Sequence, residues 1–173
     1  LFARDEAVAL EQRLGVEASL WLASLIKSLP LCALAPCGLL FSHAAPGAEH
    51  LQPAMLDLLD YRRFAPPHRS SRSSKGTSSP DAVARLLGQM LWSESLPPAQ
   101  AERTLAAIGA RVAVYGHAVV AAGYQSIGAQ QLILSTSFGM EDERKHVLLV
   151  DLAMRYESVS ALRPGTELLP LYR

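Results

Sequence analysis

Two of the five histidines stand in the same local setting. His43 follows the apolar run Leu39-Leu40-Phe41 and precedes Ala44, Ala45 and Gly47; His117 follows Val112-Ala113-Val114-Tyr115-Gly116 and precedes Ala118. Each imidazole thus falls where a buried strand should end, among small neighbours that leave room for a ligand. Histidine is the commonest metal-ligating side chain, and a neutral ring offers one nitrogen to an ion. A histidine so placed also serves as a hydrogen-bonded core residue, and residue type with spacing leaves both readings open. Distance separates them. Two ligands of one ion hold their nitrogens within roughly 3–4.5 Å of each other, whereas unrelated core histidines in a domain of this size lie about 15 Å apart or more. His50 at a helix start, His68 in a polar loop and His146 after the charged run Glu141 to Lys145 lack this setting and are expected at the surface.

The rest of the chain must supply a frame for the pair. Its 173 residues, 50% of them hydrophobic, suffice for one packed domain. Lys plus Arg and Asp plus Glu both number 16, so no basic surplus exists to hold nucleic acid or an anionic membrane, and neither is expected as a partner. The longest apolar run, Leu29 to Phe41, is broken by Pro30, Pro36 and Gly38 and falls short of the roughly 20 residues of a membrane span. No secretory signal pattern is visible. Cys32 and Cys37 flank a turn and do not form a disulfide framework, which points to thiols in a reducing cytoplasm.

Apolar spacing predicts helices over Ala3 to Leu14 and Glu17 to Lys27, divided by Gly15, the second with Leu20, Trp21, Leu25 and Ile26 as its buried stripe. Leu31 to Ala35 and Leu39 to Phe41 read as strands around the turn Pro36-Cys37-Gly38. Further helices are expected from Glu49 to Leu59, from Pro80 to Leu91 and from Pro97 to Gly109. Residues 67–79, rich in Ser and basic groups with no aliphatic or aromatic side chain, read as a disordered insertion. Beyond Gly109 the pattern predicts an antiparallel meander of about six strands: Val112 to Tyr115, Val119 to Ile127, Gln131 to Ser135, His146 to Asp151, Arg155 to Leu162 and Glu167 to Tyr172. Helices followed by a sheet indicate a layered α+β fold.

The order of these features resembles the phosphoprotein phosphatases, the serine/threonine phosphatase-like branch of the calcineurin-like metallophosphoesterases. The segment Leu29-Pro30-Leu31 through Phe41-Ser42-His43-Ala44-Ala45-Pro46-Gly47 is similar to the strand hairpin that presents a metal-binding histidine there. Tyr61-Arg62-Arg63-Phe64-Ala65-Pro66-Pro67 and Leu91-Trp92-Ser93 resemble the family's Arg-Arg and Leu-Trp-Ser segments. Tyr115-Gly116-His117-Ala118-Val119-Val120 with Gly123-Tyr124 resembles its second histidine motif, and Gln131 to Met140 stands where it carries a strand and an active-site loop. The resemblance covers nearly the whole chain in the right order.

The resemblance implies the carboxy-terminal half of a layered metallophosphoesterase β-sandwich flanked by helices, with residues 1–173 forming part of a single domain. It makes His43 and His117 ligands of one ion in a pair of divalent metals (Mn, Fe or Zn). It implies metal-dependent phosphoester hydrolysis by a bridging hydroxide, with a phosphoprotein as substrate. A dinucleoside polyphosphate or other small phosphoester is the alternative substrate, and a phosphatase-like scaffold without metals the non-enzymatic alternative. The family's Asp-x-His, Gly-Asp-x-x-Asp-Arg and Gly-Asn-His motifs do not occur in the sequence. The remaining ligands, the general acid and a phosphate-binding arginine are therefore expected before Leu1, and the missing half of the domain is the implied partner. No catalytic residue is assigned within the chain, which alone is expected to be inactive. A chain lacking that half should also expose Val112, Val114, Leu132 and Leu134 on one sheet face. Ala44-Ala45 stands where the family has Gly-Gly, and Glu94-Ser95 follows Leu-Trp-Ser in place of Asp-Pro. Arg103 falls where a second phosphate-binding arginine would, but on an expected helix, and the role is not carried to it. Ser137-Phe138-Gly139-Met140 replaces the family's Ala-Pro-Asn-Tyr type of loop.

Overall fold

A computed structural model describes residues 2–45, 54, 81–137 and 139–172. The expected helix over Glu49 to Leu59, the Arg-Arg segment and the insertion at 67–79 lie outside the described residues, Ala54 excepted. The chain divides into two compact units, residues 1–30 and 31–173.

The first unit is a pair of helices, α1 (Phe2–Leu14) and α2 (Val16–Ser28). Gly15 separates them at φ +80°, a left-handed conformation that glycine adopts without a Cβ penalty. The stripe expected to be buried on α2 is not: Leu20, Trp21, Leu25 and Ile26 are all exposed. Apolar residues wrap around more of α2 than one neighbouring helix can cover, and Ser19 and Leu22 are the half-buried positions instead.

The second unit is built on a five-stranded mixed sheet in the order β1-β2-β3-β5-β4. Its strands are β1 (Cys32–Leu34), β2 (Leu39–Ser42), β3 (Val112–Tyr115), β4 (Tyr124–Ile127) and β5 (Gln131–Leu134). The hairpin β1–β2 turns at Gly38, whose φ of +89° suits glycine. Strands β2, β3 and β5 run parallel, with antiparallel β1 and β4 at the edges. Between β2 and β3 lie α3 (Asp81–Trp92) and α4 (Pro98–Ala107), the latter opened by a proline at its first turn.

Side chains alternate across the sheet with the period of two that a pleated strand imposes. Leu40, Ala113, Tyr115 and Ile133 face the helices and pack with Leu86, Met90, Ala101 and Leu105. Leu39, Val112, Val114 and Leu132 face the other way and pack with Tyr156, Val159, Leu162 and Leu168. Three of the four residues expected to be left bare are therefore buried and Leu134 is half-buried, because the chain's own carboxy-terminal stretch folds across that face.

The six-stranded antiparallel meander does not form. Strand β3 pairs in parallel on both sides, residues 118–123 are a loop, and Arg155 to Leu162 is not a strand. Tyr156, Val159 and Leu162 recur at every third residue, which is the spacing of a 3₁₀ turn, and Val159–Ala161 adopts one. Strands β6 (His146–Leu148) and β7 (Leu168–Pro170) make a separate two-stranded antiparallel sheet. His146, expected at the surface, is half-buried in β6, with its ring 5.0 Å from that of Tyr124 and Nδ1 2.8 Å from the carbonyl of Arg144.

Candidate metal-ligand pair

Parallel pairing of β2 with β3 aligns Ser42 with Tyr115, so both strands end at the same edge of the sheet. His43 is the first residue beyond β2 and His117 the second beyond β3. Their backbones are tied directly. The His43 carbonyl accepts the N–H of Gly116 at 3.2 Å and that of His117 at 2.9 Å. At Gly116 a Cβ would come within 3.1 Å of the Leu134 carbonyl, a tight approach that glycine avoids. Open sheets with parallel strands present ligand sites beyond such carboxyl ends.

The end of α3 completes the frame. Its last carbonyls lack intrahelical partners and are available to other donors. Met90 accepts the N–H of Ala44 at 2.9 Å, and Ser93, one residue past the helix, accepts that of Ala45 at 3.1 Å. Ala44 and Ala45 are fully buried, and Ala45 packs in the helix-side core. Trp92, at the end of α3, sets its ring perpendicular to His117 with centroids 5.8 Å apart. The sequence marked Trp92 only as part of Leu-Trp-Ser; its contact with His117 depends on how α3 docks.

The two imidazoles converge. Nε2 of His43 lies 3.1 Å from Nδ1 of His117, across 74 residues of chain. The rings are inclined at 68° with centroids 5.0 Å apart. His43 is exposed and His117 half-buried. Without an ion the spacing suits an N–H···N hydrogen bond, which requires one ring to be a neutral acceptor. Burial, and then the neighbouring His117, hold the His43 imidazole below its ordinary pKa of 6.5. Two protonated rings would set N–H against N–H and positive charge against positive charge.

The donor set also fits a metal. Two nitrogens bound to one first-row ion at about 2.0–2.2 Å stand about 2.8–3.6 Å apart in octahedral or tetrahedral arrangements. The observed 3.1 Å falls inside that range. Among the described residues no group of three or more His, Cys, Asp or Glu side chains gathers to hold an ion, so the two histidines are the only such candidates at this place.

The other expectations fare differently. His50 and His68 lie outside the described residues. Arg103 is exposed on α4. In the loop after β5, Ser135 Oγ lies 3.1 Å from the Met140 sulfur, and Phe138 lies outside the described residues. Cys32 and Cys37 are thiols, the latter fully buried. Among the described residues no helix is long and apolar enough to cross a membrane.

Sequence reasoning missed Gln131. Its amide is buried and bonded at both ends: Oε1 accepts from the Leu96 N–H (2.9 Å) and the Tyr115 hydroxyl (2.8 Å), and Nε2 donates to the Leu96 carbonyl (2.9 Å). This network ties the loop between α3 and α4 to β3 and β5. A glutamine at the head of an apolar run was its only signal in the sequence. No family model, curated protein or solved structure matches the chain.

Proposed function

We propose that this chain is part of a metal-dependent phosphoesterase resembling the serine/threonine protein phosphatases, and that His43 and His117 hold one of its ions. In this reading the mixed sheet and its helices are the carboxy-terminal half of a metallophosphoesterase sandwich, and a phosphorylated protein side chain is the substrate. One observation supports it above the others: two histidines 74 residues apart, chosen from their settings alone, stand 3.1 Å apart at the ends of adjacent parallel strands.

The chain's own groups have a limited task here. His43 and His117 offer nitrogens from rigid strand ends, which is how a scaffold fixes ligand positions before an ion arrives. The His43–Gly116 and His43–His117 backbone bonds hold the spacing, and Trp92 limits rotation of the His117 ring. When bound, divalent ions would lower the pKa of water and offset charge on the transferring phosphoryl group. No acid to protonate the leaving oxygen is assigned in this sequence, so turnover of an aryl phosphate with added manganese should stay at background.

Cobalt(II) titration tests the metal assignment, followed by visible absorption and by Trp emission, since Trp92 adjoins His117. Wild-type chain should bind one ion with imidazole-type bands. His43→Ala and His117→Ala should each weaken binding by more than the roughly 10–100-fold that loss of an outer hydrogen-bond partner costs. Equal affinity in the wild type and both variants would remove the assignment.

A further inference from the structure

At the opposite ends of β2 and β3 from the histidines lies a cavity of about 360 Å³, bordered by Gly38, Arg111, Leu152, Met154 and Arg155 among others. Its charge is organised. Arg111 precedes β3; its N–H donates to the Gly38 carbonyl at 2.8 Å, and its stem lies where a Cβ on residue 38 would approach Cδ to 3.2 Å. Glycine at position 38 thus lets the Arg111 side chain lie flat against the hairpin. Arg111 Nη1 donates to one carboxylate oxygen of Glu157, and Arg155 Nε donates to the other at 2.8 Å. One carboxylate bridges two guanidiniums, leaving the cluster with one surplus positive charge. Leu152 and Met154, on the same wall, are 56% and 58% exposed and offer apolar surface beside that charge.

We propose that this cavity binds a small phosphorylated ligand, with its oxyanion on Arg111 and Arg155 and its apolar part against Leu152 and Met154. A guanidinium carries five N–H donors in a planar fork suited to phosphate oxygens, and Glu157 engages each arginine through a single nitrogen. The position of Glu157 shows that a two-oxygen anion fits between the two arginines. The volume lies within the roughly 300–1,000 Å³ of small-molecule pockets and leaves room for more than a bare phosphate. A dianionic phosphate draws more on the surplus charge than a carboxylate does, and Glu157 competes with it for the same donors.

This inference does not depend on the histidine pair, and its test excludes that pair by working in excess chelator. Calorimetric titration of the chain with phenyl phosphate, inorganic phosphate and phenylacetate supplies the comparison. Phenyl phosphate should bind saturably one to one, more tightly than either of the others. Arg155→Gln should weaken it by about tenfold, the scale of a charge-assisted hydrogen bond. Glu157→Gln, which removes the competing negative charge and one of its two acceptor oxygens, should tighten it several-fold. Both residues are largely exposed, so these variants keep the fold; Arg111→Gln, checked by circular dichroism, should match Arg155→Gln. Absence of saturable binding overturns the proposal, as does equal affinity in Arg155→Gln and wild type, or a Glu157→Gln chain that binds no tighter. Each of these outcomes leaves the metal assignment untouched, because no ion is present.

Discussion

The two faces of the five-stranded sheet are covered by different kinds of structure. Helices α3 and α4 cover one, and a largely non-repetitive stretch from Leu148 to Leu168 covers the other. The helical face admits a polar network, Gln131 with Tyr115 and Leu96, because helix ends and the loop between them present backbone groups needing partners. On the irregular face the core cluster is apolar and aromatic in side chain. Its cover satisfies backbone groups at the sheet's margins, with Tyr156 N–H on the Cys37 carbonyl and Val159 N–H on that of Ala129. Each cover also feeds one pole. The end of α3 brings Trp92 and the Ser93 carbonyl to the histidine pair, while the irregular stretch brings Arg155 and Glu157 to Arg111. The same two strands thus carry a pair of titratable imidazoles at one end and a surplus of fixed positive charge at the other. What differs is the element packed against them, and this is why one scaffold can host two unlike sites.

Neighbouring residues of β5 give the strongest way to break the comparison. Leu132 faces the irregular cover and Ile133 the helices, and both are buried. Leu132→Ala and Ile133→Ala should each cost about 2–5 kcal/mol in denaturant unfolding, through lost burial and the cavity left behind. If the irregular cover can collapse into its cavity and the helices cannot, Leu132→Ala will fall at the low end. Equal losses would mean that both covers are equally rigid.

A smaller effect separates polar from apolar packing. Gln131→Ala should destabilise the chain by about 1–3 kcal/mol, since the Tyr115 hydroxyl and both Leu96 backbone groups lose their amide partner in a buried site. Adding Tyr115→Phe should recover part of that loss, because the stranded hydroxyl is then gone. A double variant less stable than Gln131→Ala alone would show that the hydroxyl had found water or another partner.

The smallest effect is a pH response confined to the helical face. Burial pushes the Tyr115 phenol up from 10.0 to about 12. An acid whose folded pKa is raised binds more protons when folded than when unfolded. Its stabilising contribution is therefore complete below about pH 10 and is lost as pH rises through about 12. Tyr115→Phe should flatten this part of the stability profile, measured by denaturant melts between those limits, relative to the wild type. An identical alkaline slope in both would show that other groups carry it.

Much of this was legible in the residues, and each exception has a physical reason. The helix-turn-helix at the start, the hairpin at Gly38, helices α3 and α4 and strands β3 and β5 followed from local period and turn chemistry, which sequence encodes directly. Strand direction did not. The unbroken apolar run Val112 to Tyr115 is the pattern of a strand buried on both faces, as in parallel sheets, but sandwich-core strands share it, so only the pairing fixes that β3 lies between two parallel neighbours. The segment Arg155 to Leu162 looked like a strand because it carries aromatic Tyr156 and β-branched Val159, yet its spacing of three serves a 3₁₀ turn. At the histidines, the sequence by itself determined two imidazoles at strand ends among small residues. Only the tertiary structure decided that those ends are adjacent, since β2 and β3 pair across a long intervening stretch of chain that no local signal spans. Arg111, Arg155 and Glu157 were invisible for the same reason: charged side chains carry no periodic signature, and their meeting depends wholly on where the irregular cover crosses the sheet.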